Sequence, residues 1–176
     1  MRIEPTAIDG LLLLRWDAAA DERGSFARTF SRAELAEAGV AFDVVQASIS
    51  RNPVRHTLRG LHYQKAPHGE GKIVSCLAGR IWDVAVDLRR ASRTYLGWQA
   101  FELSAEAGSS LCLAPGLAHG FLTLEPGSDV HYLMDAPFVS EAFAGLRWDD
   151  PAIGIDWPAA PALISERDRG LAPFRT

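Results

Sequence analysis

The sequence is poor in cysteine and carries no disulfide pattern. It contains two cysteines in 176 residues, Cys76 and Cys112, and no CxxC motif. Both lie in apolar runs, "IVSCLAG" and "SLCLAPG", where a cysteine is typically a buried thiol. This usage argues against a disulfide framework and fits a reducing cytoplasm.

Long apolar runs and an excess of positive charge are also absent. The leucine run at residues 11–14 is followed at once by Arg15 and Asp17, so it is too short and wrongly flanked for a membrane helix or a signal peptide. The net charge is −4, which provides no global basic field for nucleic acid. We therefore expect neither a membrane nor a nucleic acid as partner, whereas an anionic small molecule in a local basic pocket stays open.

Helical periodicity is scarce, and internal repeats are absent. The best helix is "SRAELAEAG", residues 31–39, with Ser31 as N-cap, Glu34 at the capping-box position and Gly39 as the end. Most other segments are short apolar runs bounded by Gly, Pro, Ser or Asp, and such strands at about ten-residue spacing predict a sandwich or jelly roll. The length fits one domain over residues 1–176.

The predicted strand at residues 81–88 separates its side chains into two faces. One face carries Trp82 and three aliphatic residues, and the other carries Asp83 and Asp87. If the tryptophan face packs into the core, the two aspartates are solvated. If the barrel is open at this end, Asp83 lines a cavity. Periodicity alone leaves both possibilities open.

The five histidines do not form a metal-binding pattern. A metal-binding jelly roll usually carries His-x-His on one strand, because alternate strand residues share a face. Gln64 stands where the second histidine would follow His62. His62 and His119 can still meet in space, but without a clear carboxylate partner they give little support to a metal site.

The segment "TLRGLHYQKAPHGEGK", residues 57–72, is the strongest candidate for chemistry, and it is too polar for a plain core strand. A lone histidine on an apolar face is usually a structural core residue. Here Arg59 and Lys72 lie close to His62 in sequence, which favours a pocket for phosphate or a developing oxyanion. The alternative for Lys72 is a surface lysine whose stem packs on the protein.

Three further residues each allow a structural and a functional interpretation. His119 follows a Pro-Gly turn and either caps that turn or lines a pocket. Tyr132 is either a core tyrosine or a phenol that exchanges a proton. Asp168, in the charged segment "SERDRG", is either solvated or orients a histidine. These residues alone predict a cytosolic all-β enzyme or binding module with a cationic pocket around His62.

The order of motifs along nearly the whole chain resembles the nucleotide-sugar 3,5-epimerases of the cupin superfamily, typified by dTDP-4-dehydrorhamnose 3,5-epimerase. The matching segments are "DERGSFARTF", "VVQASIS", "LRGLHYQ", "GKIVSCLAGRIWDVAVDLR", "PGLAHGFLTL" and "RWDDPAIGIDWP". The resemblance implies a cupin-type jelly-roll β-barrel with a few short helices, a homodimer, and neither metal nor cofactor. It also implies a nucleoside diphosphate 4-keto-6-deoxysugar as substrate, with dTDP-4-dehydro-6-deoxyglucose as the leading case.

The same resemblance implies roles for individual residues. His62 is the base that removes a proton beside the keto group, Asp168 orients His62, Tyr132 is the acid on the opposite face, and Lys72 stabilises the enolate oxygen. The residues implied in binding the sugar, diphosphate or nucleotide are Arg23, Phe26, Arg28, Gln46, Ser48, Arg59, His119 and Phe138.

The sequence departs from the rhamnose-pathway pattern on the side that would bind the nucleotide. Arg28 stands where Glu is usual, Ser48 where Asn is usual, Phe138 where a base-stacking Tyr is usual, and Phe143 where Glu is common. An aromatic ring persists at position 138, so base stacking is expected to survive. Three functions stay open: an epimerase acting at C3 and C5 or at C3 alone, a 3,4-ketoisomerase, and a sugar-nucleotide-binding jelly roll without activity.

Overall fold

The computed structural model describes residues 1–174, which form mainly β-strands. The helices are α1 (Arg32–Glu37), a 3-10 turn (Ser140–Ala142) and α2 (Glu166–Arg169). The strands are β1 (Arg2–Pro5), β2 (Leu11–Arg15), β3 (Ala18–Asp21), β4 (Gly24–Ala27), β5 (Gln46–Asn52), β6 (Thr57–Gln64), β7 (Lys72–Ala78), β8 (Arg80–Asp87), β9 (Trp98–Ser104), β10 (Ser109–Leu113), β11 (Leu117–Thr123), β12 (Ser128–Met134), β13 (Phe143–Gly145) and β14 (Leu163–Ile164).

Two sheets carry almost all of these strands. One has the order β1-β2-β10-β7-β12-β5 and the other has the order β13-β6-β11-β8-β9, with β14 added in parallel beside β6. Strands β3 and β4 form a separate hairpin. The predicted all-β jelly roll is thereby confirmed. The segment around His62 nevertheless forms a strand, β6, although its polar sequence argued against a plain core strand.

Both faces of the second sheet are buried at strand β8, the strand whose two faces were distinguished in the sequence. Ile81 and Ala85 of β8 point between the sheets into the main core, and Asp83 and Asp87 share this face and are fully buried. On the outer face, Val84 packs with residues of the returning C-terminal segment. The solvated interpretation of the two aspartates is therefore wrong, because that C-terminal segment covers the tryptophan face and leaves the opposite face inside the barrel.

The predicted helix is present and covers the outer face of the first sheet. The Ser31 hydroxyl accepts a hydrogen bond from the backbone N–H of Glu34, and Gly39 follows the C-cap with a φ of +80°. Leu35 packs with Phe42 and Ile73 in a small core beneath the helix. This packing, rather than the length of the helix, explains why such a short helix is stable.

The two cysteines are free and buried, as their apolar surroundings indicated. Burial raises the pKa of Cys76 to about 11 and that of Cys112 to about 12, so both remain protonated thiols at neutral pH. Within residues 1–174, the helices are all too short and too polar to cross a membrane.

Candidate active site

Strand register places most of the predicted site residues on the inner face of the barrel. In antiparallel pairs, residues directly opposite each other share a face. His62 lies opposite His119 across β6 and β11. Tyr132 lies opposite Ser48 and opposite Val74, which belongs to the main core. Because these strands belong to both sheets, the side chains converge from the two walls of the barrel.

An irregularity in β6 brings Arg59 to the same face as His62. Strict alternation would place residues three apart on opposite faces. The register shifts between the pairs His119–His62 and Phe121–Arg59, so β6 contains one more residue than β11 over this stretch. Gly60 lies within the extra stretch with a φ of +134°, and a Cβ there would lie 2.5 Å from the Cα of Gly120. Only glycine permits this close approach of the two strands.

His62 is held by a buried carboxylate from the C-terminal end of the chain. Its Nε2 lies 2.7 Å from Oδ1 of Asp168, and the other carboxylate oxygen accepts a hydrogen bond from the Gly60 N–H. Asp168 is 2% exposed and lies in α2, whose N-cap Ser165 accepts a hydrogen bond from the Asp168 N–H. The solvated interpretation of Asp168 is therefore wrong, because α2 and β14 dock against β6.

The environment of Asp168 favours its ionised form. Burial alone raises the pKa of this carboxyl, but the hydrogen bond and charge of His62 outweigh burial, with further help from the Gly60 N–H and from Arg167. The pKa of Asp168 consequently lies below its ordinary range. An ionised Asp168 accepts Nε2–H of His62 and leaves the lone pair of the imidazole on Nδ1, which is the form of a base.

Phe143 lies beside the histidine rather than only on the nucleotide side. Its ring centroid is 5.1 Å from that of His62, and the guanidinium of Arg167 lies over the Phe143 ring, 4.5 Å from its centroid. Phe143 also packs against Phe138, with 6.3 Å between centroids. An apolar ring thus lies beside His62 at the position where the family resemblance implies Glu.

Tyr132 projects from the opposite sheet and is kept protonated. Burial raises its pKa far above the usual value, the charge of Asp83 raises it further, and Arg59 acts in the opposite direction. A phenol in this state carries its proton at neutral pH and can donate it to a strong base. The ring of Tyr132 packs at 5.8 Å and 80° against the ring of His119.

Lys72 is an interior lysine that forms an ion pair with Glu70. This partner was not among the residues predicted from the sequence. Its Nζ lies 2.9 Å from Glu70 Oε1, and the lysine side chain is 12% exposed. The amide of Gln64 donates a hydrogen bond to the second oxygen of Glu70. The interpretation of Lys72 as a surface lysine is therefore wrong. The sequence signal for Glu70 was its place two residues before Lys72, on the same side of an extended chain.

One pocket of about 190 Å³ is lined by His62, Lys72 and Tyr132 together. Asp168 stands behind His62 and lines the neighbouring groove with Arg59. The lining of the pocket is Ser48, His62, Tyr63, Glu70, Lys72, Tyr132, Met134, Phe138 and Phe143.

The residues assigned to the nucleotide are distributed around and away from this pocket. Phe138 is 55% exposed at its edge, and its N–H donates to the Gln46 side chain. Arg59 donates through Nε to Asn52. Three other assigned residues lie elsewhere: Arg23 and Phe26 on the exposed β3–β4 hairpin, and Arg28 in an ion pair with Glu34.

His119 is not a turn cap, because it lies within β11 and is 4% exposed. Its Nε2 is 2.8 Å from Oδ2 of Asp83, the carboxylate partner that the sequence analysis did not identify. The position of Asp83 on one face of the strand at residues 81–88 was the available signal. Among residues 1–174, no three His, Cys, Asp or Glu side chains cluster as metal ligands.

A histidine base held by a buried carboxylate, facing a protonated tyrosine inside a jelly-roll barrel, is the arrangement of an acid–base enzyme. The family model for dTDP-4-dehydrorhamnose 3,5-epimerase matches residues 5–176. The chain belongs to this family, and the prediction of a nucleotide-sugar epimerase, an isomerase, is confirmed at the level of the family.

Three similar proteins illustrate the match. The dTDP-4-dehydrorhamnose 3,5-epimerase of Methanothermobacter thermautotrophicus is 41% identical, over 99% of this chain and 95% of its own length. The structure of the enzyme of that name from Bacillus anthracis, with TDP and PPi bound, is 34% identical, covers 98% of this chain and 99% of its own, and has a TM-score of 0.95. The structure of a 3'-monoepimerase from Streptomyces bikiniensis in complex with dTDP-quinovose is 30% identical, covers 97% of this chain and 86% of its own, and has a TM-score of 0.90.

Proposed function

We propose that this protein epimerises a nucleoside diphosphate 4-keto-6-deoxyhexose at C3 and C5, with dTDP-4-dehydro-6-deoxyglucose converted to dTDP-4-dehydrorhamnose as the leading case. The observation that carries the proposal is the pocket shared by His62, backed by Asp168, and Tyr132. The TDP bound in the Bacillus anthracis structure and the dTDP-sugar bound in the Streptomyces bikiniensis structure support a nucleotide sugar.

The first step is removal of a proton next to the ketone. The C4 carbonyl acidifies the C–H bonds at C3 and C5, and Nδ1 of His62 takes the proton while the electron pair moves into an enolate. Asp168 stabilises the resulting imidazolium through the Nε2 hydrogen bond, as carboxylates do in triads. Lys72 supplies positive charge where the enolate oxygen develops, which lowers the barrier because the charge is already in place.

The second step returns a proton to the other face of the sugar. The enolate is a strong base, and the Tyr132 hydroxyl donates its proton to the carbon that was deprotonated. The configuration inverts because base and acid lie on opposite walls of the barrel. The phenolate then recovers a proton and His62 releases one, so no net proton is consumed.

The nucleotide side is proposed to be completed by a second copy of the chain. Arg23 and Phe26 do not line the pocket of their own subunit, and Phe26 is 80% exposed. A homodimer in which this hairpin reaches the partner's pocket would bury the ring and use the arginine for the nucleotide. The whole of residues 1–176 is proposed to act as one domain, and the free buried thiols support a cytoplasmic location.

Solvent exchange tests this function. The protein is incubated in deuterated water with dTDP- and other nucleoside diphosphate 4-keto-6-deoxyhexoses, and C3 and C5 are followed by NMR. Deuterium at both carbons is expected, and deuterium at C3 alone identifies a C3 epimerase, the alternative favoured by the similarity to the 3'-monoepimerase. Transfer of the carbonyl to C3 identifies a ketoisomerase. Binding without exchange for every nucleotide overturns the proposal in favour of a binding protein.

Two variants assign the base and the acid. His62→Asn is expected to lower exchange by roughly 10³-fold with substrate binding retained. Tyr132→Phe is expected to keep exchange while net inversion is lost. His131→Asn is the matched control, because this histidine neighbours Tyr132 on β12 but lies outside the pocket. Normal exchange in His62→Asn, or unimpaired inversion in Tyr132→Phe, would remove that residue from the mechanism.

A further inference from the structure

Asp83 is a buried carboxylate for which the steps above have no use. It is 0% exposed and lies on the inner face of β8 between Ile81 and Ala85. Its Oδ2 bonds to His119, whereas Oδ1 is the one buried side-chain polar atom in residues 1–174 without a hydrogen-bond partner. An unpartnered buried carboxylate oxygen is unfavourable for folding. Stability therefore does not explain why a carboxylate stands at this position.

The groups that face Asp83 come from three neighbouring strands, and two of them, Lys72 and Tyr132, line the active pocket. His119 of β11 contacts it directly, and the charge of Lys72 on β7 acts on it from further away. In return, the charge of Asp83 raises the pKa of Tyr132 on β12 and that of Cys76 on β7. Asp83 thus contacts the histidine that packs on Tyr132, and its charge interacts at longer range with Tyr132 and Lys72.

The Asp83–His119 pair resembles the Asp168–His62 pair, in which a buried carboxylate holds a histidine ring. His62 and His119 are direct partners across β6 and β11, so both rings project from one face of the sheet. Asp168 of α2 bonds to the ring of His62, and Asp83 of β8 bonds to the ring of His119. Asp83 reaches that ring because it lies opposite Phe121, two residues beyond His119 on β11. The fixed ring of His119 then packs across the ring of Tyr132.

We propose that Asp83 is a positioning residue for the acid half of the site: by holding Nε2 of His119 it fixes that ring against Tyr132 and so sets the angle at which the phenol meets the sugar. The proposal rests on the proposed epimerase function and deepens it. It predicts that the Asp168–His62 pair controls removal of the proton, whereas the Asp83–His119 pair controls return of a proton on the opposite face.

The test compares proton exchange with net inversion in Asp83→Leu and Asp83→Asn. Leucine has a similar volume and no acceptor, so we expect inversion to fall about 100-fold, the cost of misplacing a reacting group, while exchange stays within about threefold of wild type. Asparagine retains an oxygen for Nε2–H of His119 and is expected to recover part of the loss, with inversion down about tenfold. In a His119→Gln background, Asp83→Asn should change inversion no further, because its effect passes through His119.

Asp87→Asn is the matched control. Asp87 lies on the same strand and face, is equally buried, and is hydrogen-bonded to Arg89 and Thr94 outside the pocket. Its replacement should lower stability and leave the ratio of exchange to inversion unchanged.

The outcomes separate the two proposals. If wild type exchanges and inverts but Asp83→Leu does so equally well, Asp83 has no positioning role and the epimerase proposal stands. A parallel loss of exchange and inversion, together with a lowered melting temperature, identifies Asp83 as structural and also overturns the inference. If Asp83→Leu does not fold, the asparagine variant decides. Absence of exchange in wild type with every 4-keto sugar nucleotide instead overturns the epimerase function itself.

Discussion

At the scale of single residues, the pairing of Lys72 with Glu70 decides how the pocket presents its positive charge. An interior ammonium without an anion would be unfavourable, and Glu70 supplies that anion while Gln64 holds the second carboxylate oxygen. The lysine is thereby held in one orientation before substrate arrives. Its charge is paired with that of Glu70, and in the proposed mechanism it stabilises the enolate as negative charge develops there.

Glu70→Ala is therefore expected to lower kcat about tenfold with little change in KM, because Lys72 loses its orientation. Glu70→Gln keeps an acceptor oxygen for Nζ and should retain most of the activity. Steady-state kinetics of the two variants provide the measurement, with the exposed Glu102→Gln as control. Wild-type kinetics in Glu70→Ala would show that Lys72 needs no anchor, and equal damage in both variants would show that charge, not orientation, is what Glu70 contributes.

The residues of the site could be predicted individually but their partners could not. His62 and Lys72 were apparent because they lie within one short segment. Asp168 is separated from His62 by 106 positions, and its charged local sequence is that of a solvated loop. Only the resemblance to a family indicated its role. The partners of Glu70 and Asp83 could not be predicted, because a carboxylate gives no local sign of which cation or imidazole it will meet after folding.

At the scale of the elements, hydrophobic alternation predicted the strands from β7 to β12 but not the irregularity in β6. Alternation assigns Arg59 and His62 to opposite faces, whereas the extra residue in β6 places both on the same face of the strand, where Arg59 is exposed. Gly60 was the available sign, because glycine within a strand often marks a bulge or a close approach. The buried face of β8 was ambiguous for a related reason: the covering of its outer face comes from the distant C-terminal segment.

The β3–β4 hairpin gives a prediction at this scale, which depends on the proposed homodimer. Arg23→Ala is expected to raise KM at least tenfold, and His62→Asn to lower turnover by roughly 10³-fold. If the hairpin completes the partner's site, a co-expressed mixed dimer of the two variants contains one fully wild-type site. Its activity below saturation should therefore exceed the sum of the two parent homodimers, measured on material purified through two different tags.

The control for this experiment is the mixed dimer of His62→Asn and Tyr132→Phe. Both residues belong to the same barrel, so each site keeps one defect and no recovery is expected. Recovery with Arg23→Ala but not with Tyr132→Phe assigns the hairpin to the partner's pocket. A lack of recovery in both pairs would place Arg23 in the site of its own subunit or outside any site.

At the scale of the whole molecule, the buried carboxylates make opposite contributions to stability as the pH changes. Burial raises the pKa of Asp87, but the hydrogen bonds from Arg89, Ser92 and Thr94 outweigh it, and its pKa lies well below the ordinary 3.8. Asp83 differs: burial raises its pKa, and His119 and Lys72 offset this only in part. A lowered pKa gives stability that is present above 3.8 and lost below it, whereas a raised pKa gives stability that is gained as the pH falls toward 3.8.

Replacing each carboxylate by its amide should therefore change the pH profile of stability in opposite directions. Asp87→Asn is expected to lower the free energy of unfolding by roughly 2 kcal/mol at pH 7, since it removes charge-assisted hydrogen bonds, and to reduce the further loss of stability below pH 4. Asp83→Asn is expected to be as stable as wild type or more stable at pH 7, and this advantage should shrink as the pH falls, because wild-type Asp83 then takes up its own proton. Urea unfolding at pH 7, 5 and 3 measures both effects. A loss of stability in Asp83→Asn at pH 7 would mean that the carboxylate holds the barrel together, and its contact with His119 would then need no functional explanation.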